Sequence, residues 1–427
     1  MFGGVKLEDI YIKRNFLCID LKSFFASCEC LERNKDPFKY PLVVANPNQG
    51  NGAITLAVTP FLKKQGVKSR GRLFEIPRNI KYEIASPRMN LYIKKSAEVV
   101  NVYLDFVAEE DIHIYSIDEC FLDVTNYLKM YKKTDYELAE TILKKVEEKT
   151  GLTANCGIGP NMLLAKVSMD IDAKKYKNGI AKWTYDDIPE KLWTITPLSK
   201  MWGIGPNMEK RLNDLNIYTI GELANYNRNK LKDKFGAMGA ELWNHANGID
   251  LSKINDFRKS PKEESYSHSQ VLFKDYNEFN VKIIINEMTD VICERLRKNN
   301  KQCNVVALGI GYSKNCGGGF YHRIKLDSPT DDTKQIKDIC SIIFDRYYTN
   351  MPIRKVTISC GNLTPKIGVQ LNIFETIEET EEKDELNKTI DEIKSKFGKN
   401  SLLTASSLLP DSTAIERNKK VGGHNAN

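Results

Sequence analysis

The chain predicts a multidomain α+β protein, and three observations carry that reading. Up to about Trp183, strand-like apolar runs alternate with helical patterns. From about Asp186 to Ile254 the apolar spacing is helical throughout. Beyond a polar connector the order becomes strand, helix, two strands, helix, strand, a β-α-β-β-α-β unit of the ferredoxin-like kind. A chain of 427 residues suits roughly two to four domains rather than one small core.

In the first region Phe16 to Asp20, Leu42 to Val44, Ala53 to Val58, Ile112 to Ile117, Cys120 to Val124 and Ala154 to Ile158 read as strands. Leu91 to Phe106, Tyr136 to Thr150 and Asn161 to Asp172 read as helices. Gly203-Ile204-Gly205-Pro206 breaks the helical second region. Residues 255–265 hold charges and a proline with almost nothing to bury, as in an inter-domain tether. The last unit reads as strands at Ser269 to Phe273, Cys303 to Tyr312, Phe320 to Leu326 and Val356 to Cys360, with helices at Phe279 to Lys298 and Asp332 to Tyr347. After Pro365 come a short apolar cluster, an acidic stretch from Glu375 to Glu385, a helical piece and a polar end. Residues 366–427 are therefore expected to form a flexible tail.

Hydrophobic residues make up 41% and charged residues 28%, an ordinary globular composition. No apolar stretch approaches the ~18 residues of a membrane span, and no signal-peptide core is visible, so a cytoplasmic location without membrane attachment is expected. The ten cysteines lack paired metal-ligand spacing and read as reduced, mostly buried thiols. The net charge of +7 is uneven: 54 basic and 45 acidic residues precede Lys366, whereas 9 basic and 11 acidic residues follow from it. A basic body suits a polyanionic partner.

Two adjacent acids, Asp118 and Glu119, follow the apolar run ending at Ile117, and Asp20 ends another. Taken singly, each has a plainer reading: Asp118 and Glu119 begin a turn, and Asp20 caps the helix starting near Ser23. Ionised carboxylates at the ends of buried strands need compensation, and three that converge are most simply explained by a divalent cation.

The strings Ser116-Ile117-Asp118-Glu119-Cys120-Phe121-Leu122-Asp123 and Asp20-Leu21-Lys22-Ser23-Phe24-Phe25 together resemble the Y-family of translesion DNA polymerases. Cys156-Gly157-Ile158-Gly159-Pro160-Asn161, then Leu164-Ala165-Lys166, and Trp202-Gly203-Ile204-Gly205 extend the resemblance over residues 10–365. Within the family the chain is most similar to UmuC-like and UvrX-like bacterial members. The resemblance implies a right-hand fold: palm (1–24 and 88–185), fingers (25–87), helical thumb (186–254) and a DNA-binding little finger (266–365). It also implies a monomer that extends a primer on template DNA with deoxynucleoside triphosphates, past damaged bases and with low fidelity. The rival readings are a DNA-binding or clamp adapter on a degenerate scaffold, and another two-metal enzyme such as a nucleotide cyclase.

The same resemblance assigns roles. Asp20 and Asp118 are expected to bridge two Mg²⁺ ions, with Glu119 on the primer-side ion and the Leu21 carbonyl on the other. Asp123 is expected to face away. Phe25 corresponds to the steric gate against the ribose 2′-hydroxyl, while Phe24 beside it is core or lines the nucleotide. Thr59 and Lys63, read at i and i+4 on one helical face, and Lys174, with Lys175 as competitor, are the candidate triphosphate contacts. Ala57 and Val58 are candidates for the lid over the templating base. Gly203 and Gly205 would bring backbone N–H groups to a DNA phosphate. Lys314, Arg323, Lys325, Arg354 and Lys355 would lie along the duplex. Gln370, Leu371, Ile373 and Phe374 resemble a peptide that docks on the bacterial sliding clamp.

Overall fold

In the computed structural model of the protein, residues 11–258, 264–366 and 377–427 are described. The chain divides into two compact units, Met1–Lys259 with His424–Asn427, and Ser260–Gly423.

The first unit opens with β1 (Phe16–Leu21), α1 (Phe24–Glu32), β2 (Leu42–Val44), β3 (Ala57–Val58), α2 (Pro60–Lys64), β4 (Glu83–Ala85) and α3 (Met89–Leu104). It continues through β5 (Ile112–Ile114), β6 (Glu119–Asp123), α4 (Leu128–Tyr131), α5 (Asp135–Thr150), β7 (Ala154–Gly159), α6 (Met162–Ile171) and β8 (Ile180–Lys182). Five strands form one sheet in the order β5-β6-β1-β7-β8, with β1 antiparallel to both β6 and β7. Alternation along β1 sends Leu17, Ile19 and Leu21 into a core with α1, α3 and α5, and turns Phe16, Cys18 and Asp20 to the other face. A small sheet, β3-β2-β4, has its own core around Val43, Val58, Leu62 and Val67.

Two glycines decide where α6 sits. A Cβ on Gly157 would run into the Ala165 carbonyl and the backbone of Met169, and one on Gly159 into the backbone of Leu164 and Ala165. Their bare backbones let α6 lie directly on β7. The helix is started by Asn161, whose side chain accepts from the Leu164 N–H.

Next come α7 (Pro206–Asn213), α8 (Ile220–Asn225), α9 (Arg228–Phe235) and α10 (Ala237–Ala246), packed around Leu212, Ile220, Leu231 and Leu242. The expected tether is partly docked: Ile254–Arg258 form a 3₁₀ turn whose Phe257 stacks on His113 at 4.1 Å. Residues 259–263 of that connector lie outside the described residues.

The second unit has β9 (Ser265–Tyr276), α11 (Val281–Lys298), β10 (Lys301–Tyr312), β11 (Gly319–Thr330), α12 (Thr333–Tyr347) and β12 (Ile353–Pro365), matching the predicted order. Its sheet runs β11-β10-β12-β9, and Val306, Leu308, Val356 and Ile358 join α11 and α12 in one core.

The flexible tail predicted for 366–427 is corrected by the structure. Residues 377–397 form helix α13 (Ile377–Phe397), followed by α14 (Ala414–Asn418). Acidic side chains that the composition marked as solubilising meet basic partners in this unit: Asp391 pairs with Arg297 at 2.6 Å and Asp384 with Lys366 at 2.8 Å. The clamp-like residues Gln370, Leu371, Ile373 and Phe374 lie outside the described residues.

Candidate active site

Strand register brings the acids together. Asp20 and Glu119 are direct partners across β1 and β6. The Leu21 N–H donates to the Asp118 carbonyl at 2.9 Å, which ties the third acid to the same strand end. Alternation alone would split Asp118 from Glu119, but Asp118 lies in a bend before the strand, so strand alternation does not govern it. Residues 116–118 form the bend, and β6 begins only at Glu119. Inside it the Ser116 hydroxyl donates to Asp118 Oδ1 at 2.7 Å, while the Tyr115 and Ser116 N–H groups both bond the Glu119 carbonyl.

Helix α6 and the 3₁₀ turn that follows it (Ala173–Lys175) supply the counter-charge. Lys166 and Asp170 are one turn apart, and Lys174 follows at the same spacing. Lys166 is 7% exposed and sits on Glu119, which is 8% exposed, with Nζ at 2.8 Å from Oε1 and 2.9 Å from Oε2. Its ammonium also meets Asp170 at 3.0 Å, and Lys174 links Asp170 at 2.7 Å to Asp20 at 3.1 Å. The Cys18 thiol donates to Glu119 Oε1 at 3.1 Å. Lys166 falls within the Leu164-Ala165-Lys166 motif, yet nothing in that string says that the two glycines of β7 aim it at an acid.

Burial pushes the Asp20 carboxyl up, Lys174 pulls it down and Asp118 adds to the rise, leaving it above the ordinary aspartate range. Glu119 is likewise raised, chiefly by burial, with Lys166 opposing and Asp20 adding. Among the described residues no three His, Cys, Asp or Glu side chains stand close enough to hold a metal ion. Lys166 bridges Glu119 and Asp170, and Lys174 bridges Asp170 and Asp20. The donor set is nonetheless all hard oxygen, and Asp20 and Glu119, each raised by burial and in part by a neighbouring acid, call for more positive charge, which fits a divalent cation.

Comparison with known proteins identifies the family. The impB/mucB/samB family matches residues 19–170, its C-terminal domain residues 263–373, and its helix-hairpin-helix motif residues 185–217. UvrX of Bacillus subtilis, named for UV-damage repair, is 40% identical over 96% of this chain and 98% of its own. DNA polymerase IV 2 of the same organism is 32% identical over 95% and 97%. The chain belongs to the Y-family of translesion DNA polymerases. The solved structure of a Y-family DNA polymerase chimera of Dbh and Dpo4 shares the fold, with a TM-score of 0.65 at 23% identity, covering 82% of this chain and 99% of that one.

Around the acids of this polymerase the other candidates sort themselves. Phe25 is half-buried on the first turn of α1, whereas Phe24 is 2% exposed and its ring belongs to the core, so its side chain is withdrawn as a nucleotide contact. Thr59 is corrected too. It precedes α2 rather than lying on it, is fully buried, and its hydroxyl donates to the Tyr40 carbonyl at 2.8 Å. It therefore does not share a helical face with Lys63. Lys63 feels Asp20 and Asp118 as attractive neighbours and Lys174 as a repulsive one, and desolvation lowers it overall. Lys175 turns to Asp172 at 3.7 Å, which leaves Lys174 as the lysine at the acids. Val58 is fully buried in the core of the small sheet, and Ala57 is buried beside it.

The expectation that Asp123 faces away fails in its geometry. An even step keeps it on the Glu119 side of β6, and it is separated because it lies at the other strand end, opposite Phe16, bonded to Arg14 at 2.7 Å. Gly203 has φ +89°, and a Cβ on Gly203 or Gly205 would meet nothing within 4 Å, so this loop before α7 is open.

In the second unit Lys314, Arg323, Lys325 and Lys355 are exposed. Arg323 lies across from Ala307, Lys325 from Val305 and Lys355 from Gly311. Arg354 is corrected: its guanidinium is spent on Asp275 at 2.8 Å and the Phe273 carbonyl at 2.9 Å. Among the described residues no helix is long and apolar enough to cross a membrane.

Proposed function

We propose that this polymerase adds deoxynucleotides to a primer 3′ end at Asp20, Asp118 and Glu119. The observation that carries the reading is the register pairing of Asp20 with Glu119, with Asp118 held in the bend beside that strand end by the Leu21 N–H. These carboxylates and the Leu21 carbonyl would hold two Mg²⁺ ions, which when bound stabilise charge on the attacking and leaving oxygens. Lys174 and Lys63 neutralise the triphosphate from the other side. Phe25 excludes the ribose 2′-hydroxyl, since overpacking of that kind costs ~1–3 kcal/mol. The open Gly203-Ile204-Gly205 loop holds a backbone phosphate, and Arg323, Lys325 and Lys355 follow the duplex. Residues 370–374 tether the chain to a sliding clamp, the polymerase acts as a monomer, and it works in the cytoplasm.

Primer extension on undamaged and abasic templates tests the site. Asp118→Ala should lose at least ~10³-fold in rate at saturating Mg²⁺, while still folding and binding primer-template DNA. Retained synthesis by that variant would overturn the assignment.

A further inference from the structure

Behind Phe25 stands a buried ionic anchor that the proposed bond-forming chemistry does not use. The Phe25 ring stacks on Tyr92 of α3, with centroids 4.4 Å apart and planes within 15°. Tyr92 is fully buried, and its hydroxyl donates to Glu29 Oε1 at 2.8 Å. Phe25 and Glu29 are one turn apart on α1, so Tyr92 grips that helix at two points, ring on ring and hydroxyl on carboxylate. Glu29 is itself fully buried. Arg88 holds it with two hydrogen bonds, at 3.0 and 2.8 Å, and Arg33 bonds the same carboxylate. Burial works to raise the Glu29 carboxyl, and the bonds from Arg88, Arg33 and Tyr92 outweigh it, so the group stays ionised.

Stacking alone would not need a charge there. A ring plate resting on apolar neighbours can slide and tilt, and a buried carboxylate is costly unless fully paired. A hydroxyl fixed at the far end of the plate stops both motions. We propose that Tyr92, pinned by Glu29, is a positioning residue for sugar selection, holding the Phe25 ring where a single extra oxygen on the nucleotide collides with it. A gate that reads one atom must be held to a fraction of an ångström, because a ring that recedes loses the clash while still admitting the deoxy sugar. The inference rests on the reading of Phe25 as the gate.

The test compares kcat/KM for a deoxynucleoside triphosphate with that for its matched ribonucleoside triphosphate, opposite one templating base, in the full-length protein. Phe25→Ala should lower the ratio by about 100-fold or more. Tyr92→Ala should lower it by about tenfold, and Tyr92→Phe and Glu29→Gln by about threefold, chiefly by raising ribonucleotide use. Support lost only from the fold would lower both nucleotides alike and leave the ratio unmoved. If Phe25→Ala opens the gate while Tyr92→Phe and Tyr92→Ala keep the parent ratio, the pinned plate is refuted and the gate stands. If Phe25→Ala itself leaves the ratio unchanged, the gate reading falls and takes this inference with it. Tyr92→Phe removes one oxygen from a buried ring, so it reports even if Tyr92→Ala does not fold.

Discussion

The sheet of the first unit and the sheet of the second both rest on helices, yet they treat charge in opposite ways. In the first, Asp20 and Glu119 lie on the sheet face that α6 approaches, matched to Lys174 and Lys166 at 3.1 and 2.8 Å. In the second, the side of the sheet away from the helices carries small residues in its centre: Ala307 pairs with Ser359, which pairs with Ser267, and Gly309 with Thr357, which pairs with Ser269. Arg323, Lys325 and Lys355 stand exposed around them. Buried charges such as Glu119 and Lys166 are fixed in place and individually expensive to disturb. Exposed ones are screened and act as a sum. The first arrangement suits chemistry on one atom, the second a grip on a repeating polyanion.

Three experiments press on this contrast. The largest effect should come from Lys166→Met, which leaves Glu119 buried without its cation. We expect a loss of ~3–5 kcal/mol in urea unfolding of the full chain, against less than ~0.5 kcal/mol for Lys355→Met in the exposed set. Equal losses would erase the distinction. Next, Arg323→Ala with Lys325→Ala should weaken primer-template binding by about tenfold and reduce the slope of log affinity against log salt by about 2, with folding stability little changed. An unaltered slope would remove these cations from the phosphate contacts.

The smallest effect concerns Asp20. Its folded carboxyl is raised above the unfolded one, so its contribution to stability is fully present below the ordinary aspartate range and is lost as pH rises through the folded value. With a chelator present, Asp20→Asn should therefore be more stable than the parent near neutral pH, the gap closing as pH falls toward about 4. Urea midpoints across that range would show it, and a gap that widened on acidification would reverse the sign of the argument.

Much of the site was legible in the sequence because its residues are consecutive. Ser116 to Asp123 and Asp20 to Phe25 announce strand ends carrying acids, and the β-α-β-β-α-β order was read from alternation and spacing alone. Thr59 was misread because a proline at the start of α2 moved the helix boundary past it. Arg354 was misread because a β-bulge between Ile353 and Lys355 accompanies a turn of its side chain toward Asp275. The tail was misread because its acids were counted without their partners on α11 and at the end of β12.

By itself the sequence determined which residue types this protein carries where: three carboxylates at or beside strand ends, an aromatic near them and a basic body. Only the tertiary structure decided what steadies that chemistry. Lys166 reaches Glu119 because Gly157 and Gly159 admit α6 against the sheet, and Tyr92 reaches Phe25 from a helix more than sixty residues away. Periodicity tells which side of an element a residue faces; which other element it meets is set by packing between distant segments, and that is not written locally in the chain.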